Sequence, residues 1–307
     1  MSATQSPLLS VGLPVYNGLP YLEGTLRSVR DAEFQDYELI VCDNASTDGT
    51  GDIVREFAQD DSRIRYFRNE RNIGAARNFN RSFELARGKY FRWMASDDLH
   101  SAGAIARCVD ILERDQSVFL AFPRTRLIDD SGNVVRDYDD GDGWSASSPA
   151  ERFGYSLERW GLSNTMFGVI RTDGLRHATL QGDYPASDLV MQSDLAIRGR
   201  FVRISDEYYY RRMHEGCTDS LDAVALAQFY DPDRRSPFDT KMLRLFRELG
   251  RVVQRAPVTP SERRRMWVLL ARRAWNERAM LAREARHIAR RRSHTKSSRL
   301  MTAHSIT

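Results

Sequence analysis

Two adjacent carboxylates, Asp97 and Asp98, follow an aromatic and apolar segment (residues 90–94) that has the length of a buried strand. Carboxylates side by side at the end of such a strand repel each other and lose solvation, which costs free energy unless a cation lies between them. Mg²⁺ or Mn²⁺ would suit these oxygen ligands, and a phosphate could complete the coordination shell. The alternative is a helix N-cap at Ser96 or Asp97 with an acidic first turn.

The chain around these carboxylates alternates segments of strand length with segments of helical spacing. Strands are expected at residues 8–15, 37–42, 64–67 and 90–94, and helices at 19–29, 50–58, 75–86 and 99–114. Short links between them predict a doubly wound, mostly parallel α/β sheet, in which ligands bind at the carboxyl ends of the strands. Three polar clusters fall at those ends: Tyr16-Asn17, residues 43–48 and residues 96–98. Their convergence on one edge favours a binding site over three unrelated helix caps.

Four segments resemble, in order, the motifs of a family-2 glycosyltransferase. They are Pro14-Val15-Tyr16-Asn17, Asp43-Asn44-Ala45-Ser46-Thr47-Asp48-Gly49-Thr50, Asn72-Ile73-Gly74 with Arg77-Asn78, and Ser96-Asp97-Asp98. The resemblance covers residues 8–130. It implies a GT-A fold, a nucleotide-activated sugar donor and inversion of the anomeric centre. Many members carry a further Asp where this chain has Ala95, so Asp97 and Asp98 are the candidate metal ligands.

The resemblance also implies a set of donor-binding residues. These are Pro14, Tyr16, Asn17, Glu23, Asp43, Asn72, Arg77, Ser96 and Asp97. Asp43 would contact uracil or thymine, Tyr16 would stack near the base, and Arg77 would offset diphosphate charge. Some of these residues also have a structural alternative. Tyr16 could be a core tyrosine, Arg77 a solvated arginine on a helix, and Glu23 an exposed glutamate on a helix. UDP and dTDP are the expected nucleotides, and GDP stays open.

An inverting transfer needs a general base that takes the acceptor hydroxyl's proton during in-line attack on the anomeric carbon. In the family this base is usually an Asp or Glu that opens a helix of the acceptor half. Asp188 is the candidate here and Asp183 is the reserve, with a helix N-cap as the alternative for Asp188. The resemblance further implies that His214 is a third metal ligand or a diphosphate contact, although a lone His is often a plain surface or core residue.

Further elements are expected between residues 118 and 212. Strands are predicted at 118–122, 164–171, 201–205 and 208–212, a hairpin at 126–135, and helices at 149–160 and from the loop 182–188 to residue 197. The Gly-, Ser- and Asp-rich segment 137–148 lacks periodicity. It is interpreted as a mobile loop near the active face, or else as a solvated connection.

Only helices are expected from about residue 238 onward. Residues 241–299 carry 18 Lys+Arg against 4 Asp+Glu, while the remainder carries 28 basic and 38 acidic residues. Such an arginine-rich amphipathic segment can bind an anionic membrane surface, pack on the catalytic domain, or join a second subunit in a homodimer. The expected domains are a donor half (1–130), an acceptor half (131–236), a basic helical extension (237–292) and a disordered tail (293–307).

Composition limits the class of protein. The 307 residues, 41% of them hydrophobic, suffice for one large α/β domain with an appendage. No apolar segment approaches the roughly 20 residues of a membrane span, and the N-terminus lacks signal-peptide features. The three cysteines, Cys42, Cys108 and Cys217, have neither metal nor disulfide spacing. These features predict a cytoplasmic protein, and the basic C-terminal segment leaves open a peripheral position on the inner face of the membrane.

The predicted function is a metal-assisted, inverting transfer of a sugar from a nucleotide-sugar donor to a glycan, glycolipid or small-molecule acceptor. A nucleotidyltransferase would be expected to carry a Gly-rich, basic loop after the first strand, which Pro14-Val15-Tyr16-Asn17 is not. A dehydrogenase is disfavoured because no Gly-x-Gly-x-x-Gly follows that strand. A protein that binds nucleic acid through its basic end would place an acidic body against phosphates, so no nucleic-acid partner is expected.

Overall fold

The computed structural model describes residues 6–237 and 240–289. In the first half, four parallel strands stand in the spatial order β3-β2-β1-β4: β1 (Leu9–Val15), β2 (Tyr37–Asp43), β3 (Ile64–Arg68) and β4 (Tyr90–Trp93). Every residue of β1, β2 and β4 is buried, because helices cover both faces of the sheet. The crossover helices are α1 (Leu22–Arg30), α2 (Thr50–Asp60) and α3 (Ala75–Glu84).

The second half continues the same sheet with mixed strand directions. Its strands are β5 (Leu99–His100), β6 (Val118–Ile128), β7 (Val134–Tyr138), β8 (Val169–Arg171) and β9 (Arg200–Arg212). β8 lies antiparallel between β4 and β6, β9 runs parallel to β6, and the short β5 pairs antiparallel with β9. The helices are α4 (Ala104–Arg114), α5 (Pro149–Glu158), α6 (Thr172–Arg176) and α7 (Ser187–Arg198).

A helical extension follows the sheet. It comprises α8 (Ala223–Tyr230), α9 (Lys241–Arg255), α10 (Pro260–Asn276) and a further helix over residues 278–289. Apolar side chains of α9 and α10 form a second core with α5 and α7: Phe153, Leu157, Val190, Ile197, Leu249, Val253, Met266 and Leu270. Each fully buried side chain of this kind contributes about 1.5–3 kcal/mol, so the extension is firmly packed on the sheet domain.

The predicted architecture, a doubly wound, mostly parallel α/β sheet with a C-terminal helical extension, is confirmed. No helix of the described residues has both the length and the apolar character that a bilayer crossing demands. The predicted tail (293–307) lies outside the described residues.

Several predicted boundaries were wrong because pairing between distant segments decides them. The helix expected from residue 99 begins at Ala104, since Leu99 and His100 pair with Tyr210 and Tyr209 of β9. The strand expected at 164–171 is a 3₁₀ turn (Asn164–Phe167) followed by β8. The two strands expected at 201–205 and 208–212 are one strand, because β6 supports β9 along its length.

The segment 137–148 is packed rather than a mobile loop. Its first residues belong to β7, and a 3₁₀ turn (Gly143–Ser145) follows. The Trp144 indole is buried and stacks on Phe201 with ring centroids 5.3 Å apart. Asp140 is also buried, and its carboxylate accepts a hydrogen bond of 3.2 Å from the Asn164 amide. Burial raises the pKa of Asp140 to about 6, although hydrogen bonding opposes the shift.

Replacing Asp140 by asparagine is expected to raise the free energy of unfolding at pH 7.5 by about 1–2 kcal/mol. The native carboxyl holds its proton more tightly than the unfolded one, so the wild type loses stability as pH rises from about 4 to 6. A neutral amide removes that loss. Urea unfolding at pH 7.5 and pH 4 measures the effect, which should nearly vanish at pH 4. The control is Asp139→Asn, because Asp139 is the adjacent residue and its side chain is exposed. If Asp140→Asn raised the free energy of unfolding equally at both pH values, the raised pKa of Asp140 would be contradicted.

Candidate active site

The loops after β1 and β2 are joined by hydrogen bonds at the carboxyl edge of the sheet. The Asn17 backbone N–H donates a hydrogen bond to Ser46 Oγ, and the Thr47 backbone N–H donates one to the side-chain oxygen Oδ1 of Asn17. Each bond measures 2.9 Å. Asp48 accepts from the Leu19 amide at 3.0 Å and from Thr50. Asn17 adopts φ = 51°, a left-handed conformation that Asn tolerates better than most residues. The two polar clusters therefore form one rigid rim.

Asp43, at the end of β2, is the most buried carboxylate of this rim. It accepts hydrogen bonds from the Ser46 amide at 2.8 Å, from the Tyr66 hydroxyl at 2.6 Å and from the Arg68 guanidinium. Burial alone would raise the pKa of Asp43, but these hydrogen bonds outweigh it and hold the pKa below its usual range. The sequence reasoning missed Tyr66 and Arg68, although Arg68 stands directly beside Asp43 in the β2–β3 register.

Asn72 belongs to a network of asparagine side chains beside Asp43. The Asn44 amide donates to Asn72 Oδ1 at 2.7 Å, and Asn44 Oδ1 accepts from Asn69 Nδ2 and the Ile73 amide. Gly74 ends the loop at φ = 86°, where an added Cβ would lie 2.2 Å from the Tyr230 carbonyl oxygen. The loop is therefore fixed between the sheet and α8, and Asn72 stands in it as a positioned amide.

Asp97 and His214 meet at the ends of two distant segments. Asp97 Oδ2 and His214 Nε2 are 2.9 Å apart, with 29% and 16% of the side chains exposed. The hydrogen bond to Asp97 raises the pKa of His214 against the opposing effect of burial. The Tyr21 ring lies 4.8 Å from the imidazole. Asp97, His214 and Cys217 offer ligand atoms that all lie within 4.8 Å of one another, a group that could hold a metal ion.

The structure does not bring the Asp98 carboxylate together with these groups. Asp98 is buried, and its oxygens accept hydrogen bonds from the Tyr209 hydroxyl and, at 2.7 Å, from the Arg212 amide. Burial, with the charge of Asp97, raises the pKa of Asp98 above its usual range. The reason is the β5–β9 pairing, which directs Asp98 inward, and its predicted role as a metal ligand gains no support from the geometry.

Arg212 holds Asp97 and the neighbouring hairpin in place. Its Nε donates to the Asp97 carbonyl oxygen, and its NH1 donates to the carbonyls of Asp129 and Asp130, all at 2.9 Å. The Tyr21 hydroxyl donates to the Asp130 carboxylate at 2.7 Å. Arg212 is buried, and its guanidinium is engaged in these backbone contacts.

The other predicted donor residues occupy varied positions. Pro14 is buried within β1, and Ser96 is partly buried between β4 and Asp97. Tyr16 is 50% exposed, so the core-tyrosine alternative is wrong. Glu23 forms an exposed ion pair with Arg27 on α1, and Arg77 is exposed on α3. Contacts between these residues and a donor therefore stay predictions.

Asp188 lies in the first turn of α7, after Ala186 in a left-handed conformation (φ = 66°). Its carboxylate is partly exposed and has no hydrogen-bond or ion-pair partner among residues 6–237 and 240–289. Asp183, by contrast, pairs with Arg244 of α9 at 2.6 Å. Of the two predicted base candidates, Asp188 is thus the one whose carboxylate is unpaired within the described residues.

Two side-chain contacts connect α7 with the end of β9. Gln192 Oε1 accepts from the Thr165 hydroxyl at 2.9 Å, and the neighbouring Asn164 Oδ1 accepts from Arg211 at 3.1 Å. Arg211 lies three residues before His214 in the chain. The helix that carries Asp188 is therefore held in a fixed relation to the Asp97–His214 pair.

Comparisons with known proteins identify the family and the fold of the chain. The model of the family "Glycosyl transferase family 2" matches residues 10–175. The glucosyltransferase of Campylobacter jejuni named GalNAc(5)-diNAcBac-PP-undecaprenol beta-1,3-glucosyltransferase is 25% identical over 190 residues, which are 62% of this chain and 60% of that protein. The chain spans less than half the length of other curated relatives.

Solved structures show the same fold at low sequence identity. Staphylococcus aureus TarS 1–349 in complex with UDP-GlcNAc superposes with a TM-score of 0.66 and 18% identity, covering 87% of this chain and 72% of that one. The mannosyltransferase PcManGT from Pyrobaculum calidifontis, in complex with GDP-Man and Mn²⁺, superposes with a TM-score of 0.52 and 18% sequence identity. The match covers 99% of this chain and 81% of that one.

The fold is thus of the GT-A type. The chain belongs to glycosyl transferase family 2, as its motifs predicted. Family membership favours the glycosyltransferase prediction over the dehydrogenase and nucleotidyltransferase alternatives.

Proposed function

We propose that the chain transfers a sugar from a UDP- or dTDP-sugar to a hydroxyl group of a glycan or lipid-linked glycan, with inversion. The observation that carries the proposal is the partly exposed Asp97–His214 pair, which lies at the same edge of the sheet as the rim formed by Asn17 and Asp43. The TarS structure, which contains UDP-GlcNAc, supports a uridine nucleotide. Residues 1–130 would bind the donor and residues 131–236 the acceptor.

A divalent cation fits the donor set of this pair. A carboxylate oxygen and an imidazole nitrogen suit Mn²⁺ or Mg²⁺, and both side chains retain exposed surface through which phosphate oxygens could reach the ion. The proton now shared by Asp97 and His214 would be displaced, because metal ligands bind in their deprotonated forms. When bound, the ion would stabilise the negative charge on the leaving diphosphate.

Asp188 would act as the general base of the transfer. Its carboxylate would take the proton of the acceptor hydroxyl while that oxygen bonds to the anomeric carbon. The bond from the anomeric carbon to the diphosphate oxygen breaks on the opposite face, and the nucleoside diphosphate leaves. The negative charge of this diphosphate would be stabilised at the metal site proposed for Asp97 and His214. Arg77 is proposed to offset part of the same charge.

The class of acceptor is proposed from one relative. The Campylobacter protein is named for an acceptor that carries a glycan on undecaprenyl diphosphate. A lipid-linked glycan of this kind would place the enzyme at the inner face of the cytoplasmic membrane, in agreement with the basic extension. Small-molecule acceptors would require no such surface.

A thermal-shift panel tests the donor site. UDP, dTDP, GDP and ADP are each added with and without Mn²⁺, and a ligand that binds only the folded state raises Tm by mass action. At about 100 times Kd the stabilisation is about 2.7 kcal/mol, a shift of several degrees. We expect UDP or dTDP to shift Tm chiefly with Mn²⁺. A panel in which no nucleotide shifts Tm under either condition would contradict the proposal.

A further inference from the structure

The outward side of residues 260–289 is basic. Five of its arginines are exposed and pair with no carboxylate of the described residues: Arg264, Arg272, Arg278, Arg283 and Arg286. We call this surface the arginine face. It extends over α10 and the following helix, and the Arg278 guanidinium stacks over Trp275 at 4.9 Å, joining the two helices at their turn.

The three glutamates of the same segment are turned inward. Glu262 accepts from the Ala150 amide at 2.9 Å, and Glu284 accepts from the Leu243 amide at 2.9 Å, where it caps α9. Glu277 pairs with Arg273 at 2.8 Å, and both are mostly buried. Every acidic group of the segment is thus bonded within the described residues, so arginines dominate its exposed side. Carboxylates approach this side from α5, where Glu151 and Glu158 line the groove beside Arg264 and Val268.

Large apolar side chains are exposed among these arginines. Trp275 is 68% exposed, Val268 63%, Met280 49% and Trp267 44%. Aromatic and aliphatic groups interspersed with arginine suit the boundary of a bilayer, where an indole reaches the acyl region and a guanidinium stays with the phosphates. Exposed apolar groups of this size, on a helix that packs through Met266 and Leu270 and on the helix that follows it, indicate a binding surface.

We propose that the arginine face docks on a membrane surface rich in anionic phospholipid. Charge complementarity favours this occupant, and the acidic remainder of the chain, with 28 basic and 38 acidic residues outside 241–299, would turn the face toward the membrane. A second copy would bring two faces of the same sign together. A nucleic acid would meet the arginines but leave Val268 and Met280 without an apolar environment. The inference stands on this surface alone and does not depend on the role proposed for Asp188.

Vesicle sedimentation of the full chain tests the proposal. Phosphatidylcholine vesicles are compared with vesicles containing about 30% phosphatidylglycerol, at low and at high salt. We expect binding to the anionic vesicles only, weakened by salt, with a blue shift of tryptophan emission that Trp275→Ser largely removes. The variant Arg272→Glu/Arg278→Glu/Arg283→Glu should lose affinity on the order of 100-fold.

The matched control reverses three exposed arginines elsewhere: Arg107→Glu/Arg114→Glu/Arg136→Glu. It has the same net charge and should keep most of the affinity. The proposal is overturned if anionic vesicles do not bind the wild type at low salt, or if the control loses as much affinity as the test variant. It is also overturned if light scattering shows a dimer that only the test variant abolishes, or if DNA binds this face while vesicles leave the Trp275 emission unchanged.

Discussion

Replacing Asp188 by asparagine is expected to lower kcat by about 10²–10⁴-fold, while the affinity for the nucleotide donor stays within about two-fold. Asparagine keeps the size of the side chain and its place in the first turn of α7, but it cannot accept the proton of the acceptor hydroxyl. The Asp188 carboxylate makes no hydrogen bond within the described residues, so the substitution leaves no partner unsatisfied. Steady-state rates with the donor nucleotide found by thermal shift, together with titration of that nucleotide, separate the two quantities.

Asp183→Asn is the control for this experiment, because it removes a carboxylate from the loop that precedes α7. Its ion pair with Arg244 is partly exposed, with 44% and 33% of the two side chains accessible, so its loss should cost less than about 1 kcal/mol. We expect its kcat within about three-fold of the wild type. If instead Asp183→Asn abolished turnover and Asp188→Asn did not, the base would be Asp183, the reserve candidate.

The parallel half of the fold was predictable because each of its strands and helices can be recognised from its own segment of sequence. β1, β2 and β4 are buried along their whole length and are therefore visible as compact apolar segments, and the helices between them carry apolar residues at helical spacing. In such a sheet the carboxyl ends of the strands collect the binding residues. Strand order alone places Asn17, Asp43 and Asp97 at the same edge of the sheet.

The two adjacent carboxylates show what local information cannot decide. Nothing in the sequence near residues 97 and 98 indicates which of them faces inward. That choice is made by β5, only two residues long, which pairs with β9 and brings the Tyr209 hydroxyl and the Arg212 amide onto Asp98. These partners lie more than 110 residues away in the chain. The same limit applies to Arg68, whose place beside Asp43 depends on the register between two strands.

Replacing Asp97 by asparagine is expected to abolish the Mn²⁺-dependent part of the nucleotide thermal shift and to lower kcat/KM by about 10³-fold. The Asp97 carboxylate is the charged oxygen ligand of the proposed site, and an amide oxygen in its place carries no charge to hold a divalent cation. The measurement is the Tm of the variant with UDP or dTDP, with and without Mn²⁺, beside the same titration of the wild type. This readout does not require the acceptor.

The neighbouring substitution Asp98→Asn separates a metal ligand from a buried structural group. Burial raises the pKa of Asp98 to about 7, so the amide removes a charge that the buried position disfavours, and the Mn²⁺-dependent shift should persist even if Tm falls slightly. His214→Gln, which removes the imidazole nitrogen 2.9 Å from Asp97, should weaken the Mn²⁺ dependence as Asp97→Asn does. A result in which Asp98→Asn removes the metal dependence and Asp97→Asn preserves it would show that the carboxylates exchange roles when the donor binds, because the Tyr209 and Arg212 contacts would then have to break.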